Sequence, residues 1–342
     1  MRKQFIPLLL FTIILLFLAN LMWGSVEIPA NSVLAILGGD QTQKATWTYI
    51  ILESRLPQAL TALFAGGALA VSGLLLQSVF NNPLAGPSIL GVDSGASLGV
   101  AIVMLLMGGT VGILPEWLNL SGYLVVVMAA FIGAGIVLGI IIFFSTLVRS
   151  NLMLLIIGIM VGYFTSAIIS VLNFFSTEQG VHAFTLWGMG DFSGVTMNQL
   201  PFFCSTLSIG LLLSFLLIKP LNALLLGERY AENLGVNVFR IRLLLLIATG
   251  ILTAVTTAFC GPISFIGLAV PHIARLFLRS SNQKILLPTT LLCGSAIALI
   301  CNFLSNWPGH SGVIPLNAIT PLIGAPVIIY VIINQKRIQY FN

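Results

Sequence analysis

Charge is what this sequence has least of. Only 7% of its 342 residues are Asp, Glu, Lys or Arg, where soluble domains carry about a quarter. A chain so poor in charge cannot cover a water-facing surface, which excludes an ordinary soluble protein. Cysteine is scarce as well: Cys204, Cys260, Cys293 and Cys301 sit inside apolar segments with no C-x-x-C spacing, which excludes a disulfide framework and a zinc site. No G-x-x-x-x-G-K-[ST] occurs, so the chain has no phosphate-cradling loop and is not itself an ATPase. No nucleophile pairs with a base, so no catalytic residue is assigned, and no metal-ligand cluster is visible. The net charge of +5 comes from basic residues scattered as ones and twos at the ends of apolar runs, a pattern that orients helices rather than binding nucleic acid.

What is present is apolar. At 58% hydrophobic residues and a mean hydropathy of +1.08, the chain reads as an all-α polytopic membrane protein. Continuous apolar runs, rather than alternating strands of about ten residues, exclude a transmembrane barrel. The length allows roughly ten helices of about 20 residues, expected at about 5–23, 55–79, up to 108, 122–148, 152–175, 198–218, from 241, inward to Arg275 and Arg279, 286–304 and 316–334. The first run, Phe5 to Met22, exceeds the 7 to 15 or so apolar residues of a signal peptide and is expected to stay as a helix. With this count only Lys44 and Arg55 of the 14 basic residues fall outside and the other twelve inside, so both termini are cytoplasmic by the positive-inside rule. Residues 1–342 form one transmembrane domain with a cytoplasmic loop at about 219–240.

That loop belongs to the longest mainly polar stretch between two apolar segments, Leu226 to Arg242. Leu226, Tyr230 and Leu234 recur at helical spacing as a narrow apolar stripe, Glu228 and Arg229 flank it, and Gly227 and Gly235 break it. A helix this short needs an outside support. Glycines recur four apart at Gly91, Gly95 and Gly99 in the third helix, at Gly135 and Gly139, and at Gly158 and Gly162. This spacing serves close packing within the chain or between subunits. Ion-coupled transporters keep carboxylates or histidines within the membrane. Here only Asp93, in the first turn of the third helix where it favours the dipole, and His272, near the inner face, qualify. Their scarcity argues against a secondary transporter, and the lack of a charged or carbonyl-rich filter against a channel.

Longer motifs carry a resemblance. Arg55-Leu56-Pro57, Gly67 to Gly73, Gln77, Asn82-Pro83-Leu84-Ala85-Gly86-Pro87 and Leu90-Gly91-Val92 are followed by Gly227-Glu228, Leu234-Gly235-Val236, Gly261 to Arg275 and Leu322-Ile323-Gly324-Ala325-Pro326. In order and spacing, from about 55 to 334, the chain resembles the iron-chelate and cobalamin permease family of ABC importers. The resemblance implies a ten-helix subunit of a homodimer in the bacterial inner membrane, with a substrate path along the dimer axis walled by helices five and ten. It also implies two ATP-binding subunits below, which hold ATP and Mg, and a periplasmic or lipid-anchored binding protein above. An iron-siderophore or haem is the expected cargo, with cobalamin as the alternative.

Carried over by position, Leu226, Gly227, Glu228, Arg229, Tyr230, Leu234 and Gly235 couple to a groove on the ATPase. Asn82, Pro83 and Leu84 form one part of the cytoplasmic gate, and Ser150, Asn151 and Leu152 the other. Arg55 pairs with an acidic residue of the binding protein. Gln58, Asn302 and Asn306 depart from the charged residues common in the family.

Overall fold

The structure, a computed structural model, describes residues 2–40, 43–106, 122–148, 150–307 and 313–333. Among these the regular elements are all helical. The chain begins with α1 (Arg2–Met22), passes α2 (Ala30–Leu37) and α3 (Ala45–Tyr49), and continues through a π turn at Ile50–Arg55 into α4 (Leu56–Val79). The sequence reading starts this span near 55; Pro57 cannot donate to the carbonyl four residues back. The chain instead widens into the π turn ahead of the proline, so Ala45–Val79 runs as one helix of 35 residues.

The other helices surround α4, which is buried along nearly its whole length. It packs against α9 (Leu200–Leu216), α12 (Val238–Cys260), α13 (Ile266–Leu278) and α14 (Gln283–Ser305). Lipid gives helices no hydrophobic reason to associate, so contact depends on close fit at small residues. At the α4–α14 crossing, a Cβ on Gly66 would lie 2.4 Å from the Gly294 carbonyl oxygen, and one on Gly294 would lie 2.3 Å from that of Gly66. The α4–α13 crossing at Gly73 and Gly267 is closer still.

The glycines of α5 (Val92–Leu106) divide their work. Gly95 and Gly99 let α5 press on Gly133 and Ala129 of α6 (Gly122–Leu147). Gly91, expected on the same helical face, instead ends a 3-10 turn at Pro87–Leu90 with φ of +74° and lies against Gly158 of α7 (Asn151–Phe175). Gly135 and Gly139 meet nothing within 4 Å.

Among the described residues five helices are long and apolar enough to cross a membrane, or six if α9 and α10 (Ile218–Leu224), bent by 51°, count as one span. Shorter apolar segments lie in α1, α5, α13 and α15 (Leu316–Ile333), at four of the other positions where the sequence reading expects spans. Two of these are half-length for a physical reason. With 15 and 13 residues, α5 and α13 extend about 22 and 20 Å at about 1.5 Å per residue, short of the about 30 Å hydrocarbon core. The rest of each crossing is irregular chain folded back into the protein. Pro87 touches Gly267, Gly158 meets the Ile89 and Leu90 backbone, and the stretch from Gly261 to Phe265 delivers Gly267 onto Gly73, well inside α4. The sequence reading has a polar re-entry at Asn81 to Pro87 that turns the chain at the inner face, and a break of the apolar run at Gly261-Pro262 on the outer side. The structure has re-entrant segments, which are tolerated because protein rather than lipid surrounds them.

The expected loops also contain helices, α8 (Glu178–Gly188) at the outer side and α11 (Glu228–Asn233) in the polar loop. The expected features at Pro115-Glu116, Arg149, Pro308 to His310 and Lys336-Arg337 lie outside the described residues.

Candidate coupling surface and gate

Between α10 and α12 the chain leaves the helical body. Gly227 (φ +101°) opens α11 and Gly235 (φ +82°) closes it, conformations that side chains disfavour. Its six residues are too few for a helix to persist alone, and two ties hold them. Ala231 is fully buried. Arg242, buried on α12, donates from Nη2 to Glu228 Oε1 at 2.9 Å. The three apolar residues stay uncovered, Leu226 at 64% exposed, Tyr230 at 52% and Leu234 at 59%, but they do not share one helix as the spacing predicts, because Gly227 turns the chain between Leu226 and α11 and Leu234 caps its end. Arg229, Lys219, Arg240, Arg279 and Lys284 are exposed at this end of the molecule. An apolar group set among cations is a surface suited to a protein groove.

The segment after α4 that the resemblance marks as a gate is an ordered turn. Asn82 N donates to the Gln77 carbonyl at 3.2 Å, Asn82 Oδ1 accepts from Leu84 N at 2.9 Å, and Ala85 N donates to the Asn82 carbonyl at 3.1 Å. Such self-bonding is what asparagine does at turns. Pro83 presents its carbonyl to His272 Nε2 at 2.8 Å, so His272, fully buried, is engaged by the loop itself. In the other segment expected at the gate, Ser150 caps α7 by accepting from Met153 N, and Leu152 is exposed. The side chain of Asn151 lies outside the described residues.

Asp93 occupies the first turn of α5 as expected, but the re-entrant loop carries that turn into the protein. Its buried carboxylate accepts from Ser88 Oγ at 3.0 Å and from Thr257 Oγ1, on α12, at 2.7 Å. It borders a chamber of about 210 Å³ lined also by Ser94, Ser97, Ser166 and Asn317. Sequence reasoning missed Asn317, which joins three segments. Its amide donates to the carbonyls of Gly188 (3.0 Å) and Pro262 (2.6 Å), and its carbonyl oxygen accepts from Ser264 N (3.1 Å) and Oγ (2.9 Å). One amide in an otherwise apolar helix start was the available signal.

Arg55 differs from its expected role as a rim charge. It is only 7% exposed. Its Nη1 donates to the carbonyls of Leu21 (2.9 Å) and Met22 (3.1 Å) and its Nη2 to that of Val26, which satisfies the carbonyls that the end of α1 leaves open. Beside it the departures from the family pattern form an amide cluster: Asn302 Nδ2 donates to Asn20 Oδ1 at 2.8 Å, Asn306 Nδ2 donates to the Asn302 carbonyl at 3.0 Å, and Gln58 borders the same cleft. Arg55→Met is therefore expected to destabilise the protein by about 1–3 kcal/mol through orphaned carbonyls, read as a lower Tm in detergent. An unchanged Tm would show that this cap carries no weight.

A helical body with half-length helices meeting inside it, and one polar loop presenting an apolar group, defines a multi-pass membrane protein of the transport permease class. The pattern of the FecCD transport family matches residues 11–334. The hemin transport system permease protein HmuU of Yersinia pestis is 34% identical over 333 residues, 97% of each chain. The vitamin B12 import system permease protein BtuC of Klebsiella pneumoniae is 35% identical over 286 residues, 84% of this chain and 83% of that one. A solved inward-facing structure of a transporter assigned to the metal-chelate ABC type superposes with a TM-score of 0.81 at 28% identity, covering 98% of this chain and 99% of the other. The chain belongs to the FecCD transport family.

Proposed function

We propose that this chain is the membrane subunit of an ATP-driven importer that carries a metal chelate of the iron-siderophore or haem type across the bacterial inner membrane. The observation that carries the reading is the exposed apolar group of Leu226, Tyr230 and Leu234 on and beside α11, a short helix tied to its own body through Ala231 and the Glu228–Arg242 pair. This group is the docking surface for a separate ATPase, which holds ATP and Mg, and a second such subunit serves the other half of a homodimer. Asn82, Pro83 and Leu84 with Ser150, Asn151 and Leu152 close the cytoplasmic mouth. A substrate-binding protein docks at the outer end. Arg55 acts there by shaping the turn after α1, which leaves Trp23 and Val26 exposed for contact.

A cobalamin cargo is the second reading, favoured by the 35% identity to BtuC. Uptake into proteoliposomes decides both levels. Transport is expected to require ATP, the ATPase and the binding protein, and competition among ferric siderophore, haem and cobalamin identifies the cargo. Uptake driven by an ion gradient without ATP would overturn the proposal.

A further inference from the structure

We infer that a buried polar relay carries movement of the coupling helix to the cytoplasmic gate, with Asn222, Gln283, Gln77, Arg275 and His272 as its positioning residues. The inference rests on the coupling and gating roles proposed above. It begins one turn before Leu226. Asn222 on α10 accepts through Oδ1 from the backbone N of Gln283 at 2.9 Å, and its amide reaches Oδ1 of Asn282, which caps α14. The Gln283 side chain, fully buried, donates from Nε2 to Ser78 Oγ on α4 at 3.1 Å. Beside Ser78, Gln77 is the hub. Its Oε1 accepts from Arg275 Nη1 at 2.5 Å, its Nε2 donates to the Leu268 carbonyl at 3.2 Å, and its own carbonyl holds Asn82 N in the gate loop. One turn from Arg275 on α13, His272 donates from Nε2 to the Pro83 carbonyl.

Each link joins a different pair of elements: α10 to α14, α14 to α4, α4 to α13, and both α4 and α13 to the gate loop. Polar side chains buried in a membrane protein are costly unless paired. Apolar residues would fill the same space, so their chaining between two working surfaces calls for more than packing. Directional hydrogen bonds resist sliding between helices. A shift of α10 driven through α11 therefore pulls the end of α14 against α4 and α13 and moves the two anchors of the Asn82 to Leu84 turn together. Two sites coupled in this way need an element that responds to both. Here that element is the turn, held by Gln77 on one side and His272 on the other.

The test uses the assembled importer in proteoliposomes, with Asn82→Cys as a cross-linking reporter of the gate and Asn222→Ala, Gln283→Met and His272→Phe as relay variants. Because α11 is untouched, each variant is expected to bind the ATPase. Cross-linking yields with and without ATP should converge, and transport per ATP should fall about tenfold, within the usual range of coupling between sites. His272→Gln, which keeps an N–H donor for Pro83, should recover nucleotide-dependent cross-linking, a recovery that loss of packing alone does not predict. Retained nucleotide dependence and transport per ATP in the relay variants would overturn the inference. Asn222→Ala decides the matter if the buried variants fail to insert, since Asn222 is partly exposed: unchanged transport per ATP in that variant alone would overturn the relay. A parent reporter that cross-links equally with and without ATP overturns the relay together with the gate. Failure of the coupling reading shows separately, as normal ATPase stimulation in Leu234→Glu.

Discussion

Leu234→Glu is expected to abolish co-purification with the ATPase and stimulation of its hydrolysis while leaving the permease itself intact. Leu234 is 59% exposed and the ties that hold α11 run through Ala231 and the Glu228–Arg242 pair, so the new carboxylate disturbs nothing in the body. In a partner's apolar groove it would be desolvated, at a cost of several kcal/mol. At about 1.4 kcal/mol per tenfold in affinity, roughly 3 kcal/mol already lowers docking about a hundredfold. Gly235→Pro reaches the same result by geometry, because φ of +82° is closed to a ring locked near −65°. Both variants should insert and melt normally. Full ATPase stimulation in both, at normal expression, would remove this loop from the mechanism.

Gly73→Ala is expected to be the most damaging added methyl among the described glycines. A Cβ there would lie 1.7 Å from the Gly267 carbonyl oxygen and 2.5 Å from its carbon. Both are backbone atoms, so no rotamer change relieves the clash and α4 must move away from α13. That separation also strains the contact of Pro87 with Gly267 and the bond between Gln77 and Arg275. Overpacking typically costs about 1–3 kcal/mol and occasionally more, and a backbone-on-backbone clash belongs at the upper end. The measurement is Tm and monodispersity in detergent, with Gly139→Ala as the control. Position 139 meets nothing within 4 Å, so there a methyl should be neutral or stabilising by up to about 1 kcal/mol. Equal Tm for the two variants would contradict the close crossing.

The exposure of Leu226, Tyr230 and Leu234 was readable in advance because they lie in a polar loop, but their shared helical face was not: Gly227, at φ +101°, sets Leu226 outside α11. The glycines were only half readable. Spacing of four marks small faces, but it could not tell that Gly95 meets α6, that Gly91 ends a turn, or that Gly139 looks outward. Arg55 shows the sharper limit. Counting charges puts it on the outer side, yet its partners are carbonyls of residues 21, 22 and 26, and carbonyls carry no signal in the sequence. The relay was hidden for a similar reason, since Gln77 and Arg275 are 198 positions apart.

By itself the sequence determined that the chain is helical, crosses the membrane several times and exposes a polar loop, because hydropathy and charge act locally and add along each run. Only the tertiary structure decided that α5 and α13 are half-length, that Asp93 lies buried against Thr257, and that His272 holds Pro83. Those facts depend on which irregular segments find partners across the fold. A backbone can leave its helix inside a membrane only where neighbouring helices satisfy its polar groups, and that is a property of the assembled helices rather than of any one run.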